Sequence, residues 1–333
     1  MRVLMVSHYP PMQGGIAVYG GQVAASLRAQ GHELTVASPE SSDAELVLDL
    51  SRRGAGRALA RLAERCDRLL IHFQPEMLGE PASSRITRLR SLLRIGMGLR
   101  AAPSSEICIH EVGYPKGPLA PILRRLLGSV FRLADEVTVH TEVERRNLAA
   151  AFGIATDRIG VVSQGEHLVA RTDADQATAR TALGLPADSL LMLAIGFLQP
   201  NKGFDRAVRA FAKAGLDRAS LYLIGGVWRD DDDITRDYVA NLRDLVAETP
   251  GVELREGYVD DEAFDLWIVA CDLLVLPYRA GWSSNVMERG LLYDKPVIMS
   301  RVGGMAEQGT DRPLVTLVDD DDDLVDALRR LGV

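Results

Sequence analysis

Cysteine is scarce in this chain of 333 residues: Cys66, Cys108 and Cys271 are widely spaced and form no C-x-x-C pair. Neither a disulfide framework nor a zinc site is indicated, and buried, reduced thiols are expected. Aromatic residues reach only 5%. No apolar run approaches the roughly 20 residues that cross a bilayer, and the apolar stretch at Met1–Ser7 is too short for a secretion signal. The cytoplasm is the default location. A basic excess is also missing: 38 Lys and Arg stand against 46 Asp and Glu, a formal net charge of -8. That balance argues against a general nucleic-acid binder, which must neutralise phosphates. The G-x-G-x-x-G fingerprint does not follow the first apolar run, so a nicotinamide-type site is poorly supported.

What is present is an alternation of short apolar runs with helical stretches. Val3–Val6, Leu34–Ala37, Leu69–Phe73, Ile107–His110 and Val137–His140 lie in the first half. Leu190–Ile195, Ser220–Ile224, Val252–Leu254, Leu273–Leu276 and Val297–Met299 lie in the second. Strand and helix alternating twice over predict an α/β protein of two Rossmann-like parallel-sheet domains facing each other across a cleft. Residues 1–168 are expected as the first domain and 186–333 as the second. Residues 169–185 are the linker, within the Ala-, Thr- and Asp-rich stretch Glu166–Asp188 where the hinge is expected.

Three turns carry the chemistry. Pro277 to Glu288 ends an apolar strand in small polar residues and opens a helix bearing one carboxylate. Unpaired N–H groups and the helix dipole favour an anion there, and Glu288 stands where it could accept hydrogen bonds from a ribose. Gly196-Phe197-Leu198-Gln199-Pro200-Asn201-Lys202-Gly203 is a second such turn, with Lys202 as a mobile point charge. Pro10-Pro11-Met12-Gln13-Gly14-Gly15 follows the first strand, and its paired glycines permit close approach of a ligand. Taken singly, each reads equally as an ordinary capped helix or surface turn. In an open α/β sheet, however, such turns line one edge, beyond the carboxyl ends of the strands.

Two charge patterns stand apart. Asp230–Asp233 and Asp319–Asp323 hold the hard oxygens that Mg²⁺ or Ca²⁺ prefer, but both precede helical stretches, where Asp caps and favours the dipole. Between Ser84 and Arg100, arginines 85, 88, 90, 94 and 100 interleave with Ile86, Leu89, Leu92, Leu93 and Ile95, without an acidic residue. This is either a solvated Rossmann-face helix or a basic amphipathic helix lying on an anionic membrane. In the second case the location becomes the inner face of the membrane.

In their joint order the motifs resemble those of the retaining, nucleotide-sugar-dependent glycosyltransferases of GT-B fold, family 4. The matching stretches are Pro10 to Gly15 with Gly31-His32-Glu33-Leu34, Ala134-Asp135-Glu136-Val137, Gly196 to Gly203, Gly257-Tyr258-Val259, Leu276-Pro277, Glu288, Lys295-Pro296-Val297 and Val302-Gly303-Gly304. The resemblance implies transfer of a sugar from a nucleoside diphosphate donor to a hydroxyl acceptor: a glycan, a lipid-linked sugar or a small molecule. It implies neither a metal nor a cofactor beyond the donor itself. His110, Lys202 and Glu288 would be catalytic. Gly14, Gly15, Gly196, Lys202, Ser283, Ser284 and Asn285 would hold the donor phosphates, with Glu288 on the ribose and Tyr258 or Val259 beside the base. His8, His72, Gln74 and His140 would lie on the acceptor side.

Two departures bear on the donor. Ala280 stands where many members carry a Glu, and Phe197 replaces an Arg that would grip the diphosphate in bidentate fashion. Arg279 is the nearest substitute cation in sequence. The same fold also accommodates a nucleotide-sugar epimerase or a catalytically silent nucleotide-sugar-binding module. Family members commonly continue into helices that cross back to the first domain, whereas this chain stops at Val333, so a mobile interdomain angle is expected.

Overall fold

The structure is a computed structural model describing residues 1–79, 83–111, 115, 117–227 and 233–331. The chain divides into two compact units, Met1–His167 and Leu168–Val333.

Among the described residues, the first unit carries seven strands: β1 (Arg2–Val6), β2 (Glu33–Ser38), β3 (Leu46–Val47), β4 (Arg68–Phe73), β5 (Ser105–Ile109), β6 (Glu136–Val139) and β7 (Ile159–Val161). They form one parallel sheet in the order β3-β2-β1-β4-β5-β6-β7. The order reverses between β1 and β4, so the turns after these strands diverge and leave a crevice at their carboxyl ends. Helix Gly15–Ala29 returns from β1 and lays Tyr19, Val23 and Ala24 on Met5, Val36 and Leu70. Gly20 is what lets the helix come so close to the end of β1. A Cβ there would lie 2.6 Å from Ser7 Oγ and 2.7 Å from the His8 carbonyl oxygen.

The second unit carries β8 (Leu190–Ile195), β9 (Ala219–Gly225), β10 (Val252–Glu256), β11 (Leu273–Leu276), β12 (Val297–Ser300) and β13 (Val315–Val318). They pair in parallel as β10-β9-β8-β11-β12-β13. Alternate side chains of each strand enter different cores. Met192, Ala194, Leu221, Leu223, Leu273 and Val275 join one, whereas Leu191, Leu193, Ile195, Tyr222, Ile224, Leu274 and Leu276 join the other. Burial on both faces explains why these strands read as unbroken apolar runs rather than as alternating ones. Here the order reverses between β8 and β11, the strands that precede the lysine turn and the Pro277 turn.

The stretch 169–185, expected as linker, holds helix Gln176–Leu183 and is packed into the second unit. Asp175 caps this helix by accepting from Thr178 N at 2.8 Å. Buried Arg180 reaches Asp272 at 2.6 Å and the Ala270 carbonyl at 3.0 Å. The Ala- and Thr-rich composition that suggested a linker is the composition of a short helix, anchored by Arg180 and by Gln176, whose amide donates to the Cys271 carbonyl and to Asp272.

Candidate functional site

In the second unit the turns after β8 and β11 are interlocked. Gly203 has φ 70°, and a Cβ on it would stand 2.1 Å from the Pro277 carbonyl oxygen, so only glycine permits the contact. Arg206, three residues further on, donates to the carbonyls of Pro277 at 2.9 Å and Tyr278 at 3.2 Å. The amide of Arg279 donates to the Asn201 carbonyl at 2.8 Å. Arg279 itself, proposed from sequence as a substitute phosphate cation, is committed elsewhere. Its guanidinium is bidentate on Asp205 at 2.7 and 2.6 Å and also donates to the Pro200 carbonyl. The reading from proximity alone is thus replaced by a clamp between the two turns.

Lys202, by contrast, pairs with no carboxylate among the described residues, and its Nζ sits 4.1 Å from the centroid of the Tyr278 ring. A cation over an aromatic face is held without being neutralised. The Tyr278 hydroxyl is buried and has no hydrogen-bond partner among the described residues.

The Pro277 turn feeds helix Asn285–Leu292. Ser284 caps it, its Oγ accepting from Met287 N at 3.2 Å. The Ser284 amide, expected to face a phosphate, already donates to Gln308 Oε1 at 2.8 Å, so an anion would have to displace Gln308 to reach it. The Asn285 side chain has a buried Nδ2 with no acceptor, an unused donor in the first turn. Ser283 is half-buried in the same turn. Glu288 is buried, and its Oε1 accepts from Gln308 Nε2 at 3.0 Å with Arg312 at 3.7 Å. Gln308 comes from helix Gly303–Gly309 and thus bridges the helix cap to the carboxylate.

The neighbouring turns complete this rim. Leu198 N donates to the Gly226 carbonyl at 3.0 Å, which ties the Gly196 turn to the end of β9. An added Cβ on Gly226 would meet Gly257 and Tyr258 N at 3.1 Å. Of the two residues expected beside a base, Tyr258 is half-exposed and Val259 packs into the core. In the acidic run Asp319–Asp323, Asp319 pairs with Arg301, Asp321 with Arg206 and Asp322 with Lys213, while Asp320 caps the following helix by accepting from the amides of Asp322 and Asp323. Asp230, Asp231 and Asp232 lie outside the described residues.

In the first unit, His8, His72, His110 and His140 stand at or just beyond the carboxyl ends of β1, β4, β5 and β6, and the structure gathers them. His8 contacts the Gln74 amide at 2.5 Å, and His72 Nδ1 contacts Ser7 Oγ at 3.0 Å. His140 Nε2 lies 2.9 Å from His110 Nδ1. The Tyr19 ring covers the row, with centroids 5.2, 4.8 and 5.4 Å from those of His72, His110 and His140. Burial, the largest cause in each case, holds all four histidines toward the neutral form: His8 to about 4, His72 to about 3, and His110 and His140 lowered as well. Cys108 Sγ lies 3.9 Å from His140 Nε2, and burial pushes its thiol up to about 12. Cys108, His110 and His140 offer donor atoms within 4.8 Å of one another. At 2.9 Å, however, the two imidazole nitrogens are already satisfied by each other.

Gly14 and Gly15 open helix Gly15–Ala29, which has neither a side-chain cap nor an acid in its first turn. Its leading N–H groups are therefore not occupied by a capping side chain.

Sequence reading missed Gln308, Tyr19 and Arg206. Each acts through a contact distant in sequence, and none gave a local signal.

Residues 189–332 match the family described as Glycosyl transferases group 1, and residues 13–165 match Glycosyltransferase Family 4. D-inositol 3-phosphate glycosyltransferase 1 of Catenulispora acidiphila is 27% identical over 255 residues, 72% of this chain and 61% of that protein. The chain spans about half to three-fifths of the length of the curated relatives it matches. Among solved structures, Anabaena HepE in complex with UDP has a TM-score of 0.73 at 16% identity, covering 99% of this chain and 89% of its own. Sucrose-phosphate synthase from Thermosynechococcus elongatus also scores 0.73, at 19% identity, covering 100% and 92%. At these identities the likeness establishes the fold, two Rossmann-like parallel-sheet domains of GT-B type.

Proposed function

Because the chain belongs to the group 1, family 4 glycosyltransferases, we propose that it moves a sugar from a nucleoside diphosphate donor to a hydroxyl acceptor, with retention and without a metal ion. The carrying observation is Lys202, unpaired by any carboxylate among the described residues and poised on the Tyr278 ring. It stands on the turn locked to the one that leads into the helix of Asn285 and Glu288.

As the glycosidic bond breaks, negative charge grows on the departing phosphate oxygen. A positioned cation and preset N–H donors favour that state over the ground state. Lys202 supplies the cation, the Asn285 amide and the first-turn N–H groups supply donors, and Glu288 accepts from the ribose hydroxyls. The departing phosphate takes the acceptor proton, and His110 orients the sugar or acceptor rather than acting as the base. The nucleotide carried by HepE, UDP, is the first donor nucleotide to try, and the name shared by the curated relatives makes inositol 3-phosphate an acceptor to include.

Helix Arg85–Ala101 supports a lipid-linked acceptor. Ile86, Leu89, Leu93 and Met97 are exposed along one stripe, flanked by exposed Arg85, Arg90 and Arg100. Among the described residues no helix is long and apolar enough to cross a membrane. Peripheral contact with an anionic leaflet at the cytoplasmic face fits this stripe.

A thermal-shift panel of nucleoside diphosphates and their sugars, followed by product analysis with and without acceptor, tests the reading. A ligand that binds only the folded state raises the midpoint. Acceptor-dependent transfer supports it. Turnover of the donor without acceptor points to an epimerase, and donor binding with neither transfer nor donor hydrolysis to a silent module.

A further inference from the structure

His110 and His140 follow directly after the adjacent strands β5 and β6, and their hydrogen bonds fix where each proton sits. His140 Nδ1 lies 3.1 Å from the carbonyl oxygen of Val162, which can only accept. Nδ1 of His140 therefore carries a proton, and its neutral ring presents a lone pair at Nε2. That Nε2 is 2.9 Å from His110 Nδ1. A hydrogen bond between two nitrogens needs one donor, so His110 Nδ1 carries the second proton. His110 Nε2 is left as a bare lone pair, and it is buried without any hydrogen-bond partner among the described residues.

The surroundings enforce this arrangement. Tyr19 meets both rings edge-on, with interplanar angles of 71° to each, and limits their rotation. Glu144 Oε2 accepts from the backbone amides of His140 and Thr141 at 2.8 and 3.0 Å, which fixes the turn that carries the His140 ring.

We infer that His140 is a positioning residue: it relays the Val162 carbonyl through its ring, locks His110 as the Nδ1–H tautomer, and so makes His110 Nε2 an obligate hydrogen-bond acceptor. The partner of that atom must then be a donor, a sugar or acceptor hydroxyl. A carboxylate or phosphate oxygen at the same place would meet a lone pair. The inference deepens the proposed function and rests on its assignment of His110 to the substrate. It adds that His110 selects for hydroxyl-bearing substrates over their oxidised or deoxygenated analogues.

The experiment uses the full chain labelled with ¹⁵N-histidine and long-range ¹H–¹⁵N correlation, with His110 assigned from His110→Gln. His110 is expected as the Nδ1–H form. In His140→Phe that preference is lost, and kcat falls roughly 10- to 100-fold, the range seen when an orienting partner is removed, with KM for the donor little changed. In His140→Gln, whose amide can both donate to Val162 and accept from His110, the Nδ1–H form and most of kcat return. An Nε2–H form in the unaltered protein, or an unchanged tautomer and kcat in His140→Phe, overturns the inference. If the tautomers behave as described but no donor and acceptor react, the relay stands and the glycosyl-transfer reading falls.

Discussion

The Nζ of Lys202 rests 4.1 Å above the ring of Tyr278, so a residue from the turn after β8 is positioned by one from the turn after β11. The ring presents its negative face to the ammonium without forming an ion pair, leaving the full charge available to an anion. Lys202→Ala is expected to lower kcat by roughly 10²- to 10³-fold, the range for losing one preset group that stabilises developing charge. Tyr278→Phe keeps the ring face and should behave nearly as the parent, whereas Tyr278→Leu should lose part of the Lys202 effect. Steady-state kinetics with the best donor from the panel check this order.

Gln308 holds both Glu288 Oε1 and the Ser284 amide, so it sets the pose of the carboxylate while blocking a donor. Gln308→Leu should leave Glu288 without its amide partner and weaken donor binding by roughly 10- to 100-fold, in keeping with about 1.5 to 3 kcal/mol for a hydrogen bond to a charged group. Glu288→Gln should cost more than this. Calorimetric titration with the nucleoside diphosphate distinguishes the two variants.

Arg279 and Asp205 form a bidentate pair, half-exposed on the arginine side. Arg279→Ala should leave donor affinity within about twofold, because the guanidinium is engaged with Asp205 rather than with a ligand. Stability should fall by about 1 kcal/mol, the upper range for exposed pairs with good geometry. A double-mutant cycle with Asp205→Ala read by urea denaturation should show the two losses to be coupled.

All six histidines lie in the first unit, and the four of the buried row are held neutral. In the unfolded chain they titrate near 6.5, whereas in the fold His8 does so at about 4 and His72 at about 3. Between these values the unfolded chain binds more protons, so acid favours unfolding. The stability contribution is complete above pH 6.5 and declines below it, by about 1.4 kcal/mol per pH unit for each such histidine. Urea melts from pH 7 to 5 should show the first unit weakening while the second, which has no histidine, changes little. Parallel loss in both units would contradict this.

The stripe on helix Arg85–Ala101 has Ile86 61% and Leu93 50% exposed, beside arginines that include no acidic neighbour in the helix. Arg94 is turned inward to the carbonyls of Leu50 and Ser51 at 2.6 and 2.9 Å. Co-sedimentation with anionic vesicles is expected at low salt, and Ile86→Glu with Leu93→Glu should abolish it. Binding equally strong to neutral vesicles would count against the electrostatic part of the reading.

Much of this architecture was legible in the sequence because parallel strands buried on both faces leave unbroken apolar runs, as Leu190–Ile195 and Leu273–Leu276 do. The short strands β3, β7 and β13 were not legible, since two to four residues at or near a sheet edge leave no periodic signal. Lys202 and Glu288 were singled out from the turns that follow strands, and His110 from the family resemblance. Their partners were not: Tyr278 reads locally as a core aromatic, Gln308 as a helix surface residue, and Arg279 as a free cation. What each side chain touches was decided by chain crossings that no local pattern records.

The contact between Gly203 and the Pro277 carbonyl makes the two turns one mechanical piece. Neither can swing as an independent flap, so any rearrangement that admits or expels a ligand at this edge must carry both together, and a side chain placed at Gly203 should jam the pair rather than loosen one.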